Sequence, residues 1–254
     1  MLVAVDDSRG VRTIVLNRSE KRNAFNGQLL EDLSRAIADA DRDPSVAVIL
    51  LTASGPAFSA GADFAELEGT LPASDSRRHF DALIQGLTDL SKPLIAAVNG
   101  AAAGFGMTIL GYADLVFIST KARLRCPFTE FGLAPEAASS YLLPALVGRQ
   151  NAAWILLSSE WITAQEAHEM GLAWRICEPE DLLRTAERHA AVLARHSVAS
   201  LAAVKRTMLA PHRDNVIAAH QREMVEFAEL RGNPSRPSLS VAVSDPEPES
   251  AGPS

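Results

Sequence analysis

No charged residue occurs between Lys92 and Asp114. About 20 consecutive apolar residues suffice to cross a bilayer, so such a stretch belongs either in lipid or in a protein core. Pro93, Asn99, Gly100, Gly104, Gly106 and Gly111 interrupt it, and alanine fills much of the remainder. That pattern predicts a buried strand, a turn and a buried helix, with no membrane span. Enclosing them takes apolar surface from elsewhere, and the chain has it: 254 residues, 47% hydrophobic and 22% charged. This allows one large domain or two small ones and is too apolar for general disorder. The formal net charge of −7 speaks against nucleic acid, whose phosphates need a Lys/Arg surplus. An anionic substrate held by a local basic patch remains compatible with it.

Cys126 and Cys177 lie far apart with no Cys-x-x-Cys spacing, so neither a disulfide scaffold nor a cysteine zinc site is expected. The histidines form no His-Glu-x-x-His motif, and no metal is expected. Met1–Gly10 has neither the basic nor the long apolar region of a signal peptide, and the C-terminal Ala-Gly-Pro-Ser matches no peroxisomal or prenylation signal. The expected compartment is the cytoplasm.

Val3–Val5 and Val11–Leu16 read as strands around a turn at Asp6–Gly10. A helix follows the Asn26 cap, with Leu29, Leu30, Leu33, Ile37 and Ala40 on its apolar face. Val46–Leu51, Leu94–Val98 and Asp114–Ile118 read as buried strands, and their alternation with helices indicates α/β organisation. From about Gly148 the pattern turns mostly helical. One amphipathic helix carries Leu182, Leu183, Ala186, Ala190 and Leu193, and another carries Val216, Ile217, His220, Met224 and Phe227.

Two small-residue junctions could carry chemistry. In Phe58-Ser-Ala-Gly-Ala-Asp63, Gly61 and its flanking alanines let the backbone approach a ligand closely, with the Ala60 N–H as a candidate donor. The same residues also read as a tight strand-to-helix loop with Asp63 as N-cap. In Asn99-Gly-Ala-Ala-Ala-Gly-Phe-Gly-Met107, free N–H groups at a helix start favour an oxyanion. Taken alone, the segment is better explained by close helix packing, and its Gly104-x-Gly106 is a poor dinucleotide fingerprint.

Several ordered motifs from Val11 to Arg231 resemble the crotonase (enoyl-CoA hydratase/isomerase) superfamily. They are Arg22-Asn-Ala-Phe-Asn26, Phe58–Asp63, Lys92-Pro-Leu-Ile-Ala-Ala-Val-Asn-Gly100, Phe131-Gly-Leu133, Leu157–Ala167 and Met170-Gly-Leu172. The resemblance implies an α/β fold, the ClpP/crotonase-like spiral of ββα units, over residues 1–195. It further implies a helical trimerisation region over 196–232, with hexamers common, and leaves 233–254 as a Pro/Ser-rich, flexible tail. It implies an acyl-CoA thioester as substrate, its carbonyl held by the N–H groups of Ala60 and Phe105. No cofactor is implied beyond the coenzyme A of the substrate. The CoA contacts carried over are Lys21, Arg22, Ala24, Ala60, Gly61, Ala62, Asp63, Phe64 and Gly104, with Lys205 reaching the ligand of a neighbouring subunit.

Hydratases of the superfamily use two glutamates. Thr108 and Phe128 stand at those positions here, which disfavours water addition. Leu133-Ala-Pro-Glu-Ala-Ala-Ser-Ser-Tyr141 instead resembles the segment of peroxisomal-type Δ3,Δ2-enoyl-CoA isomerases in which one glutamate is the base, and Glu136 matches it. Glu130 is the nearest rival, expected at the surface. The expected activity is a shift of a 3-enoyl-CoA double bond to the 2 position in fatty acid metabolism. The competitors are hydration, thioester hydrolysis, and a non-catalytic acyl-CoA-binding paralogue. Val216, Ile217, Met224 and Phe227 are expected to form an exposed apolar patch for assembly.

Overall fold

The computed structural model describes residues 1–67 and 75–233, with Ser235 and Pro237 beyond them. Apart from these positions, the expected C-terminal tail lies outside the described residues. β1 (Val3–Ser8) and β2 (Val11–Leu16) form an antiparallel hairpin. Its turn is shorter than expected: Val3–Ser8 pairs throughout, and Arg9 (φ 51°) and Gly10 (φ 80°) alone make the bend. Two positive φ angles give the twist that matches paired strands.

α1 (Gly27–Arg42) begins at Asn26, whose side chain accepts from the Leu29 N–H at 2.9 Å. β3 (Val48–Ala53), β4 (Ala57–Ser59) and the short α2 (Phe64–Leu67) follow, then α3 (Ser76–Asp89). The uncharged run gives β5 (Leu94–Val98), β6 (Ala101–Ala103) and the one-turn α4 (Phe105–Thr108), continued as a 3-10 turn to Tyr112. The expected turn there is itself a short strand. β7 (Leu115–Ser119) and β8 (Arg123–Arg125) precede the kinked α5 (Ser139–Ser158). Then come β9 (Ile162–Thr163), α6 (Ala164–Glu169), β10 (Arg175–Cys177), α7 (Leu182–Leu193), α8 (Val198–Leu209) and α9 (Arg213–Arg231). Two short strands therefore interrupt the stretch expected to be helical.

The main sheet has the order β1-β2-β3-β5-β7-β10, and its internal strands are parallel. Both faces are covered, which explains the continuous apolar strands. Ile49, Leu51, Ala96, Val98, Val116 and Ile118 belong to the main core, which also takes in α1, α3 and α5, while Val48, Leu50, Ile95, Ala97 and Phe117 pack with Leu182, Ala186 and Ala190 of α7. The second sheet, β4-β6-β8-β9, runs beside it. Lys92, at the head of the uncharged run, is buried and donates to the Ala40 and Asp43 carbonyls at the end of α1.

The expected assembly patch on α9 is corrected. Val216 and Ala219 pack against Ala138, and Phe227 packs against Phe131 and Leu133 of the same chain. Met224 is also buried within the chain. α9 folds back over the start of α5. Exposed large apolar side chains include Trp154 and Leu157 on α5, Val204 and Met208 on α8, and, on α9 itself, Val225.

Candidate active site

The two small-residue junctions lie side by side because β4 and β6 pair in parallel, Ala57 with Ala101 and Ser59 with Ala102. Gly61 has φ 86°, and a Cβ there would lie 2.8 Å from the Ala103 carbonyl oxygen. At Gly106 a Cβ would lie 2.7 Å from that of Ser59. Only glycine permits this approach, and with it the two loop ends share one site.

A third segment joins them. The Phe25 N–H donates to the Gly61 carbonyl at 2.7 Å, the Asp63 N–H to the Phe25 carbonyl at 2.9 Å, and the Ala60 N–H to the Arg22 carbonyl at 2.9 Å. This last bond corrects an expectation: the Ala60 N–H is taken by the protein and cannot hold a substrate oxygen. Gly61, at φ 86°, breaks the extended backbone between Ala60 and Ala62, so the two N–H groups do not share a direction. Among the described residues, the N–H groups of Ala62 and Phe105 have no acceptor. Phe105 opens α4, where the first N–H groups are unpaired and the helix end favours negative charge. Its ring stands edge-on to Phe25 (4.8 Å) and Phe80 (5.0 Å), anchored in the core.

Asp63 caps α2 through a 3.1 Å bond from the Ala65 N–H, and its other oxygen pairs with Arg18 at 2.7 Å. Its carboxylate is thus engaged within the protein, as the capping alternative had it. Arg18 also donates to the Ala24 carbonyl at 2.8 Å and so ties the Lys21–Ala24 turn to this loop. Lys21 and Arg22 are exposed beside it, and Gly104 binds the Arg125 carbonyl through its own N–H. Phe64 packs edge-on to Phe131, ring centres 5.3 Å apart. Lys205 is corrected: it is 5% exposed, donates to Asp114 Oδ2 at 2.7 Å and to the Lys92 carbonyl at 2.9 Å. An ammonium group so enclosed does not reach a neighbouring subunit's ligand.

Glu136 is 7% exposed, and Thr108 Oγ1 donates to its Oε1 at 2.7 Å. Its Oε2 is buried and has no partner among the described residues. Burial pushes the Glu136 carboxyl up to about 8; the Thr108 bond opposes that shift, and the charge of Glu223 adds to it. A group that titrates there can accept and return a proton near neutrality. Glu130 is ion-paired with Arg125, which removes it as a rival.

The turn after Glu136 is strained. Ala137 (φ 57°) and Ala138 (φ 56°) are both left-handed, at a cost of about 1–2 kcal/mol each. Tyr112 donates to the Ala137 carbonyl at 2.9 Å, and Glu223 of α9 accepts from the Ala138 and Ser140 N–H groups at 2.6 and 2.7 Å. Ala62 was expected at the site but not as its donor, and Tyr112 and Glu223 were not legible as partners at all, because each acts through a backbone contact that leaves no motif.

A surface cleft of about 380 Å³ lined by Arg175, Cys177, Asp181, Thr185, Arg188 and His189 lies at the β10 edge of the main sheet, away from Glu136. Among the described residues, no helix is long and apolar enough to cross a membrane.

Residues 6–236 match the family Enoyl-CoA hydratase/isomerase. The chain is similar to 1,2-epoxyphenylacetyl-CoA isomerase of Escherichia coli, at 34% identity over 79% of each chain. It is also similar to enoyl-CoA delta isomerase 2 of Rattus norvegicus, at 32% identity over 72% of this chain and 48% of the relative. Among solved structures, an enoyl-CoA hydratase from Mycobacterium marinum is 56% identical, covering 83% of this chain and 100% of that one, with a TM-score of 0.79. With the ββα layering, the paired backbone donors and a match across nearly its whole length, this chain belongs to the enoyl-CoA hydratase/isomerase family and has the crotonase fold.

Proposed function

We propose that this protein moves the double bond of a 3-enoyl-CoA to the 2 position, with Glu136 as the only base. The observation that carries this reading is one buried carboxylate with a free oxygen, held by a threonine at the position of a hydratase glutamate. The Ala62 and Phe105 N–H groups receive the thioester oxygen. Ala62 replaces Ala60 in that role because of the Ala60–Arg22 bond. Glu136 Oε2 takes a proton from C2, and the electron pair moves through C2 into the carbonyl to give a dienolate. The two donors stabilise its oxygen, each by about 3 kcal/mol at the transition state. The protonated Glu136 then delivers the proton to C4, and the double bond forms between C2 and C3. Arg22 and Lys21 border the entrance as candidate contacts for CoA phosphates, and the loop Gly61–Phe64 borders the thioester arm.

Water addition is a second reading, favoured by the 56% identity to a protein described as an enoyl-CoA hydratase. Two carboxylates serve hydration in the family, and Thr108 and Phe128 leave one here. The test is Glu136→Gln with 3-hexenoyl-CoA, following 2-enoyl-CoA. The amide keeps the shape and cannot accept the proton, so turnover should fall roughly 10²–10⁴-fold with CoA-ester affinity retained. Near-native turnover in the variant refutes Glu136 as base. Efficient conversion of crotonyl-CoA to 3-hydroxybutyryl-CoA by the native chain decides for hydration.

A further inference from the structure

We propose that Glu223 is a positioning residue for Glu136, clamping the strained turn that aims the base from the far end of the sequence. The inference rests on the reading of Glu136 as base. Ala137 and Ala138 are consecutive left-handed alanines, and the turn contains neither the glycine nor the asparagine that normally supplies this conformation. External partners must therefore hold it. Glu223, 4% exposed on α9, receives the Ala138 N–H on Oε2 at 2.6 Å and the Ser140 N–H on Oε1 at 2.7 Å. Both are otherwise unpaired donors at the start of α5, which has no side-chain cap of its own. Tyr112 fixes the Ala137 carbonyl from the opposite side. Glu136 thus has its neighbours locked on one side by Glu223 and its own Oε1 locked by Thr108, which leaves Oε2 as the mobile proton's only seat.

Glu223 also acts through its charge. Glu136 faces Thr108, Tyr112, Cys126 and Glu223, and Glu223 in turn faces His220, which is paired with Asp81. Of the groups acting on Glu136, Glu223 is the one whose negative charge raises its proton affinity. Removing that charge should move the acid limb of kcat/KM to lower pH, an effect a purely structural residue would not produce.

The experiment compares the native chain with Glu223→Gln, Glu223→Ala and Glu136→Gln on 3-hexenoyl-CoA, with folding checked by circular dichroism. Glu223→Ala should lower kcat by about 10²-fold, the effect of a misplaced catalytic group, with KM unchanged within about twofold. Glu223→Gln, with one oxygen left to accept one N–H, should fall between and show the displaced acid limb. It serves alone if the alanine variant does not fold. In carbon-13 glutamate-labelled protein, the Glu136 side-chain resonance is identified by its loss in Glu136→Gln. It should titrate at lower pH in Glu223→Gln. A folded Glu223→Gln with native kcat and an unmoved Glu136 resonance overturns the clamp. A native chain without isomerase turnover, in which the Glu136 resonance still moves in Glu223→Gln, overturns the proposed reaction and supports the clamp.

Discussion

Replacing Glu136 by glutamine should stabilise the protein at alkaline pH and leave it nearly unchanged in acid. The carboxyl titrates at 4.5 when unfolded and about 8 in the fold. Between these values the folded chain holds a proton that the unfolded chain has released, so stability falls as pH rises. A displacement of about 3.5 units at 1.36 kcal/mol each gives about 5 kcal/mol, an upper bound reduced as the site relaxes around the charge. The cost is absent below about pH 4.5 and complete above about pH 8. Glutamine does not titrate, and its oxygen still accepts from Thr108. Glu223, also raised by burial, remains in both proteins and adds nearly the same slope to each. Urea unfolding at equal protein concentration, at pH 5 and pH 9, should therefore show the variant gaining several kcal/mol on the native chain at the higher pH only. Activity should run the other way, since the base works ionised: kcat/KM of the native chain rises through about pH 8. Parallel stability profiles for the two proteins would refute the claim that Glu136 is buried as a neutral acid.

Thr108→Val should push the acid limb to still higher pH, because the bond it removes favours the ionised carboxylate; a pH–rate profile checks this. Native protein should convert crotonyl-CoA to 3-hydroxybutyryl-CoA negligibly beside isomerisation, measured by product chromatography. Lys205→Met should cost about 2 kcal/mol, the scale of a hydrogen bond to a charged group, with KM for acyl-CoA unchanged; a raised KM at native stability would restore the phosphate contact. Light scattering at micromolar concentration should give a trimer or hexamer, and truncation after Asn233 should leave that mass per assembly intact. Burial of the exposed Trp154, Leu157, Val204 and Met208 is the expected driving force, and a monomer would refute it.

Periodicity located the large elements because burial dictates it. Leu29, Leu30, Leu33, Ile37 and Ala40 lie on the buried face of α1, and the apolar run read at Val46–Leu51 becomes the strand Val48–Ala53, covered on both faces. The misplaced features are those whose pattern is shared by two outcomes. Val216, Met224 and Phe227 mark an apolar helix face in any context, and nothing local says whether the chain's own α5 or another subunit covers it. Ala101–Ala103 has no side-chain signature for either turn or strand, since its conformation is set by pairing with β4 and β8.

The site shows the same limit at finer scale. Glycines at 61 and 106 announced a close approach, and Glu136 announced a carboxylate, because in each case residue type restricts what can occur there. Which amide of an alanine-rich loop faces the substrate depends on backbone direction alone, and here that is set by the positive φ of Gly61. Ala60 and Ala62 are chemically identical; only the bond from Ala60 to Arg22, a residue remote in sequence, separates them. Lys205 failed for the complementary reason. A lysine on a short helix reads as solvated until a carboxylate remote in sequence, here Asp114, is brought within 2.7 Å. The residues hardest to read are therefore those that act through backbone polar groups or through one long-range partner. Glu223 is both, so its contribution to the site emerges only when α9 is laid across the start of α5.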